Sequence, residues 1–109
     1  LFRSEVMEYI DANLNRKLTL KEIADSIGMN ESSLSRLFKN ETGVNLNYYI
    51  NEKKMKKAME LLRGESSMIK DVAAAVGMDD QLYFNKVFKK YYNVSPSEFK
   101  KKLHPDTEE

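Results

Sequence analysis

The sequence predicts an all-α fold of seven helices, and three observations support this prediction. Apolar residues recur at helical spacing along the 109-residue chain, and only two prolines and four glycines interrupt them. One segment occurs twice: LTLKEIADSIGMNESSLSRLFKNETGVNLNYY, from Leu18, aligns with SMIKDVAAAVGMDDQLYFNKVFKKYYNVSPSEF, from Ser67. Each copy has the pattern of an amphipathic helix, a glycine-containing turn and a second helix.

The first two helices are predicted from a cap and an apolar stripe each. Ser4 is expected to cap helix 1, whose apolar stripe is Val6, Tyr9, Ile10 and Leu14. A polar loop follows at residues 13–17. Thr19 and Glu22 form a capping-box pattern at the start of helix 2, which Gly28 ends. The apolar stripe of helix 2 is Leu20, Ile23, Ala24 and Ile27.

Helices 3 and 4 follow from the next two caps. Asn30 is expected to cap helix 3, and Gly43 to supply the left-handed residue after it. The residues of helix 3 that are predicted to face inward are Leu34, Leu37 and Phe38. Asn45 starts a long helix over residues 46–62, and Gly64 ends it. The buried side of this helix is predicted to hold Leu46, Tyr49, Ile50, Met55, Ala58, Leu61 and Leu62.

The second copy repeats this arrangement. Helix 5 carries Ile69, Val72, Ala73 and Val76, and helix 6 turns Phe84, Val87 and Phe88 inward. Asn93 replaces Gly43, and asparagine is a residue that tolerates the left-handed conformation. Ser95, Pro96 and Glu98 predict a capped seventh helix. The expected organisation is a first helix-turn-helix subdomain at 1–45, a linker helix at 46–63, a second subdomain at 64–103 and a polar tail at 104–109.

Composition excludes several classes of protein. The absence of cysteine excludes disulfides, zinc fingers and thiol catalysis. There is no histidine–acid–nucleophile set and no glycine-rich phosphate loop, so we expect no enzyme, no metal and no cofactor. His104 is interpreted as a solvated tail residue. No apolar run approaches the length of a membrane span. The absence of cysteine fits a reducing cytoplasm, which is the expected location. The chain begins with Leu1 instead of methionine, which predicts that it is a piece of a longer protein.

The repeated motif predicts binding to double-stranded DNA. In a helix-turn-helix the first helix, here called the brace, crosses the DNA backbone, and the second, the recognition helix, enters the major groove. The faces left free by the inward residues are polar: Glu31, Ser32, Ser35, Arg36 and Lys39 in the first copy, and Gln81, Leu82, Asn85, Lys86 and Lys89 in the second. Such side chains can read base edges or bind phosphates. The net charge is only +1, but residues 1–105 carry +4.

The segment from Arg16 to Lys102 resembles the DNA-binding domain of the AraC/XylS family of bacterial transcription factors. KDVAAAVGMDDQLYFNKVFKKYYNVSPSEFK runs close to the family signature, and KAMELL resembles the end of its linker helix. The resemblance implies two recognition helices in successive major grooves. It places the base-reading positions at Ser32, Ser35 and Arg36, and at Gln81, Leu82, Asn85 and Lys86. Lys39, Lys54 and Lys89 are candidate phosphate contacts.

One alternative to DNA binding remains at this point. The chain could be a helical protein-interaction module that inherited the fold but lost DNA binding, for which the low net charge is the only support. The run from Lys53 to Lys57 is better interpreted as the solvated face of the long helix than as a DNA contact.

The resemblance also implies an N-terminal sensing or receiver domain, and the segments around the second copy are most similar to those of two-component response regulators.

Overall fold

The computed structural model describes residues 2–64 and 67–105. Seven α-helices and no strand occur in these ranges, which confirms the predicted fold class. The helices are α1 (Phe2–Ala12), α2 (Leu20–Ser26), α3 (Glu31–Thr42), α4 (Leu46–Leu62), α5 (Ile69–Ala75), α6 (Gln81–Tyr92) and α7 (Pro96–Leu103). The brace helices are α2 and α5, and the recognition helices are α3 and α6.

Polar caps define most of the helix starts as predicted. The Thr19 hydroxyl accepts from the Glu22 amide at 3.2 Å, and the Glu22 carboxylate accepts from the Thr19 amide at 3.1 Å, which is a complete capping box. Ser95 and Glu98 repeat this arrangement at the start of α7. The prediction for Ser4 was wrong, because α1 already begins at Phe2. No proline or glycine stands ahead of Ser4 to stop the helix there.

Two hydrophobic cores lie along the linker helix α4. The first core joins Val6, Ile10, Ile23, Ala24, Leu34 and Phe38 to Leu46 and Ile50 of α4. The second joins Met55, Ala58 and Leu62 of α4 to Ile69, Val72, Ala73, Val76, Met78, Phe84, Val87 and Phe88. Each core is therefore completed by a different half of the same helix. The described part of the chain is elongated, with extents of 50 × 23 × 22 Å.

Leu37 does not occupy the inward position that its spacing predicts. Its side chain is 37% exposed, whereas Val87, the equivalent residue of the second copy, is 8% exposed. Val87 is covered because it belongs to the core that the C-terminal half of α4 completes. In the first copy Leu34 and Phe38 alone are buried on α3. Helical periodicity identified the face, but not how far the neighbouring helix extends over it.

His104 is also placed differently from the prediction. Its backbone amide caps α7 on the carbonyl of Lys100, and its Nε2 lies 2.9 Å from the carbonyl oxygen of Arg63. The residue therefore packs against the C-terminal end of α4 instead of lying in a solvated tail. Its neighbour Pro105 is the last described residue, and the rest of the predicted polar tail lies outside the described ranges.

Within residues 2–64 and 67–105, no helix combines the length and the apolar character needed to cross a bilayer.

Candidate nucleic-acid interface

The first recognition helix, α3, is held by one face and leaves the other free. The Asn30 side chain caps it by accepting from the Ser33 amide at 2.8 Å. Leu34 and Phe38 are fully buried beneath it, and the Phe38 ring meets the Tyr49 ring of α4 edge-on at a centroid distance of 5.5 Å. The helix is thus fixed between its brace and the start of the linker.

The opposite face of α3 brings the predicted residues together. Ser32, Ser35, Arg36 and Lys39 are exposed and border one shallow depression, which Glu31, Asn40 and Asn45 also line. Two hydroxyls and a guanidinium on successive turns can donate to base edges or to phosphate oxygens. Lys39, one turn further along, adds a positive charge to the same face.

The second recognition helix, α6, rests on an aromatic cluster. Phe84 and Phe88 are fully buried, and the Phe88 ring lies 4.9 Å from the Tyr92 ring and 5.8 Å from the Phe99 ring of α7. The Asp80 carboxylate starts the helix by accepting from the amides of the two residues that follow Gln81, at 3.0 and 3.3 Å.

The free face of α6 is less polar than that of α3. Gln81, Lys86 and Lys89 are exposed as predicted, and Leu82 is 80% exposed. An apolar side chain this exposed on a recognition helix is suited to contact with a thymine methyl group. Asn85 is half-buried instead of exposed, and its Oδ1 is buried without a hydrogen-bond partner. An orphaned acceptor of this kind is rare in folded proteins.

Tyr83 also belongs to this surface, and it is among neither the predicted inward residues nor the predicted free residues of α6. Its side chain is half exposed and lines two depressions. One is a cleft of about 460 Å³ between the two copies, which Asn47 and Asn51 of α4 also line, and the other lies beside Lys86. A helical wheel of α6 places Tyr83 at the boundary of the apolar face, between the exposed Lys86 and the buried Val87, which is the signal that could have identified it.

Lys54 is not available as the phosphate contact that was predicted. It is buried, with 4% of its surface exposed, and its Nζ donates to the carbonyls of Leu14, Arg16 and Val76 at 2.9, 2.7 and 2.7 Å. Burial, and then the positive charges of Lys57 and Arg16, lower the pKa of Lys54 to about 8. All three ammonium protons are used inside the protein, so none remains for DNA.

Within the described residues, no three histidine, cysteine, aspartate or glutamate side chains are grouped in a way that could hold an ion. The exposed polar residues on the free faces of α3 and α6 are donors or cations for the most part. Their arrangement is suited to recognition of a polyanion.

Several known proteins are similar to this chain in sequence. A family model described as a helix-turn-helix domain, of the AraC type, matches residues 23–102. The Msm operon regulatory protein of Streptococcus mutans is 30% identical over 100 residues, which is 92% of this chain but only 36% of that protein. The multiple antibiotic resistance protein MarA of Escherichia coli is 30% identical over 95 residues, 87% of this chain and 75% of MarA.

Among solved structures, the C-terminal domain of AraT, a response regulator from Geobacillus stearothermophilus, superimposes with a TM-score of 0.90 at 30% identity. The match covers 98% of this chain and 91% of that one. The family match extends from the first brace helix through α7 and includes both recognition helices. The chain therefore belongs to the AraC-type helix-turn-helix family and is a DNA-binding domain of a transcription regulator.

Proposed function

We propose that one copy of this domain binds a single asymmetric DNA site by placing α3 and α6 in successive major grooves. The observation that carries this proposal is the pair of unlike exposed faces, on α3 and α6, within one chain. A dimeric helix-turn-helix protein presents the same helix twice and reads a palindrome. Here Ser32, Ser35 and Arg36 form one reading face, whereas Gln81, Leu82, Asn85 and Lys86 form the other, so the two half-sites differ in sequence.

The dimensions of the domain support two-groove binding. The linker helix has 17 residues and is therefore roughly 25 Å long. Successive major grooves on one face of DNA are about 34 Å apart. Because the recognition helices flank the linker in a molecule with a 50 Å long axis, their separation can exceed the length of the linker itself. In this proposal Lys39 and Lys89 contact phosphates at the two half-sites.

The proposal includes a longer protein around this domain. The chain spans about a third of the Msm operon regulatory protein, and its described part superimposes on a domain that AraT carries at its C-terminal end. We place a sensing or receiver domain ahead of Leu1, with a phosphorylatable receiver as the favoured form. A regulator of bacterial transcription works on the chromosome, so the proposed location is the cytoplasm, and no catalytic activity is included.

A spacer experiment tests the two-groove arrangement. A double-stranded site selected from a random pool would be labelled, and binding would be followed by fluorescence anisotropy at two salt concentrations. Five extra base pairs between the half-sites turn the second groove to the opposite face of the DNA, because one turn is about 10 base pairs. We expect affinity to fall by at least about tenfold, as bivalent attachment is lost.

The other outcomes of this experiment are also informative. Undiminished binding to the spacer variant would contradict the two-groove model and leave one motif reading DNA. Absence of binding to any selected or random fragment would favour a protein-interaction module that has lost DNA binding. A steep loss of affinity at the higher salt concentration is expected for a site that includes phosphate contacts.

Two substitutions test the assignment of the reading faces. Arg36→Ala and Lys86→Ala remove equivalent exposed cations, and each should cost roughly 1–3 kcal/mol on the selected site, with relaxed preference at one or two base pairs. Lys101→Ala, which removes the same charge from the exposed side of α7, is the matched control and should change affinity little. Equal losses on selected and random DNA would instead make Arg36 or Lys86 a phosphate contact.

A further inference from the structure

One buried ammonium connects the two copies. Lys54, on α4, donates to the carbonyls of Leu14 and Arg16 in the loop of residues 13–17 that follows α1. Its third hydrogen bond goes to the carbonyl of Val76, the C-cap residue of α5. The two loop carbonyls are separated from Lys54 by about 40 residues of sequence, and the three hydrogen bonds bring α4, this loop and the end of α5 together.

The three carbonyls are groups that need a donor. Residues just beyond the end of a helix have carbonyls without an intrahelical partner, and the C-terminal end of a helix carries partial negative charge. Leu14 and Arg16 follow the end of α1, and Val76 ends α5. A lysine ammonium has three donors and no acceptor, so it satisfies all three carbonyls at once. With a pKa of about 8, Lys54 keeps its third proton at neutral pH.

Each side of this contact is fixed to its own copy. Arg16 donates to the Glu22 carboxylate of α2 at 2.6 Å, and the Tyr9 hydroxyl of α1 donates to the same oxygen at 3.0 Å. The loop is therefore anchored to the first copy. On the other side, Gly77 follows Val76 directly, and a Cβ at Gly77 would lie 2.4 Å from the carbonyl carbon of Arg16. The turn of the second copy thus touches the loop of the first.

We propose that Lys54, with the Gly77–Arg16 contact beside it, is a positioning residue that fixes the angle and separation between α3 and α6. A continuous helix such as α4 constrains the distance between the copies, but it leaves bending and twisting about its axis less restricted. The hydrogen bonds of Lys54 add a second attachment away from that axis. For DNA binding this inference rests on the proposed two-groove function, because only a protein that reads two grooves needs a fixed separation.

The first test measures the geometry without DNA. The chain has no cysteine, so spin labels can be placed uniquely at Asn40→Cys on α3 and Lys90→Cys on α6, two exposed and equivalent positions. Pulsed dipolar spectroscopy then gives the distribution of distances between the labels. Lys54→Met keeps an unbranched side chain that is one atom shorter and has no donor, and it should at least double the width of this distribution. Lys56→Met, an exposed lysine of the same helix, is the matched control and should leave the width unchanged.

The second test measures how the hydrogen bonds of Lys54 affect the affinity for DNA and the preference for one spacer length. On DNA with both half-sites, Lys54→Met should bind about tenfold more weakly than the wild type and should discriminate less between spacer lengths, since effective concentration depends on matched geometry. On fragments with one half-site it should bind within about twofold of the wild type. Loss of folded protein alone would weaken binding to all fragments in the same proportion. Lys54→Arg, which retains charge and donors, should restore the preference for one spacer.

The outcomes separate this inference from the proposed function. An unchanged distance distribution in folded Lys54→Met, with unchanged spacer preference, would contradict the positioning role of Lys54 even if DNA binding is normal. A widened distance distribution in a protein that binds no DNA would support the positioning role of Lys54 and contradict the proposed function. If Lys54→Met does not fold, Gly77→Ala and Gly28→Ala test the contact between the copies instead. Gly77→Ala should alter the distance distribution between the spin labels because it displaces Arg16, and Gly28→Ala should leave that distribution unchanged.

Discussion

Gly28 and Gly77 end the two brace helices with nearly the same backbone angle, φ +71° and +74°, yet their surroundings differ. A Cβ at Gly28 would meet nothing within 4 Å, whereas at Gly77 it would collide with the backbone of Arg16. The same glycine is therefore required for conformation alone in the first copy, and for conformation and close approach in the second. The two turns share one backbone conformation, and the contact between the copies adds a second constraint to one of them.

The interiors of the two copies differ in a related way. The first core is mainly aliphatic and has Phe38 with Tyr49 as its aromatic contact, whereas Phe88 of the second core lies within 6 Å of three aromatic rings. The starts of the brace helices differ too. Thr19 caps α2 through a capping box, but Met68 occupies the N-cap of α5 and provides no side-chain hydrogen bond. Each difference predicts an unequal response to the same kind of substitution.

The largest effect is expected in the cores. Phe88→Ala and Phe38→Ala should each lower the free energy of unfolding by about 3–5 kcal/mol, because both side chains are fully buried. Phe88→Ala should lie at the upper end, since each aromatic pair adds about 0.5–1.5 kcal/mol. Urea denaturation followed by circular dichroism measures both changes. An unfolding curve of Phe88→Ala that matches the wild type would show that the second copy is not held by this cluster.

The turns should give the next largest difference. Gly28→Ala should cost about 1–2 kcal/mol, because alanine is strained at positive φ. Gly77→Ala carries the same strain and also forces Arg16 aside, which should add about 1–3 kcal/mol. Thermal unfolding of the two variants under identical conditions measures the difference. Equal melting temperatures would mean that the loop of residues 13–17 can shift away from residue 77 without loss of stability.

A smaller change should make the second copy more like the first. Met68 is 51% exposed and lies in the extended conformation that an N-cap adopts, with φ −88° and ψ 144°. Met68→Thr should therefore raise the free energy of unfolding by about 1 kcal/mol, because threonine can accept from a free amide of the first turn. The reciprocal variant, Thr19→Ala, should lower it by a similar amount. Both can be measured by urea denaturation, and a loss of stability in Met68→Thr would mean that the methionine packs more than its exposure indicates.

The smallest effect is expected in the dependence of stability on acidic pH, through the Glu22 carboxylate. The hydrogen bond from Arg16, together with the amide of Thr19, lowers the pKa of Glu22 from 4.5 to about 2. Because the folded pKa is depressed, the contribution of Glu22 to stability is fully present above pH 4.5 and is lost as the pH falls toward 2. The side chain is 27% exposed, so solvent screening keeps this contribution small.

A matched pair of variants identifies the source of this pH dependence. Glu22→Gln should be less stable than the wild type at pH 7, and the difference should close as the pH approaches 2. Glu98→Gln removes the equivalent capping carboxylate of the second copy, whose pKa is lowered chiefly by the amide of Ser95. It lacks an ion pair like that of Glu22 with Arg16 among the described contacts, so its pH dependence should be weaker. Identical acid profiles would assign the effect to capping alone.

Local rules predicted the secondary structure closely. The caps at Thr19, Asn30, Asn45 and Ser95 gave the starts of α2, α3, α4 and α7, because a cap is a contact between residues three positions apart. The left-handed conformation of Asn93 followed from the comparison with Gly43. The free faces of α3 and α6 followed from periodicity, and their roles in base reading stay predictions.

Contacts between distant residues could not be predicted in the same way. Lys54 looks like one of a run of solvated lysines, and only the meeting of α4 with two helix ends turns it inward. Leu37 has inward spacing but lacks a covering helix, and His104 reaches the end of α4 across 41 residues. In each case the burial of a side chain depends on which elements pack side by side, and no local pattern contains that information.

The contact of Gly77 with Arg16 limits how this domain can be recombined. Tandem units of repeat proteins can often be exchanged, since each meets its neighbours through a repeated surface. Here the second copy meets a loop that belongs to the first, so a chimera that takes α5–α7 from another family member inherits a turn shaped for a different loop. Under the proposed function, grafting a new operator preference onto this domain therefore calls for replacing residues on α6 alone, or for moving the loop of residues 13–17 and Lys54 together with the second copy.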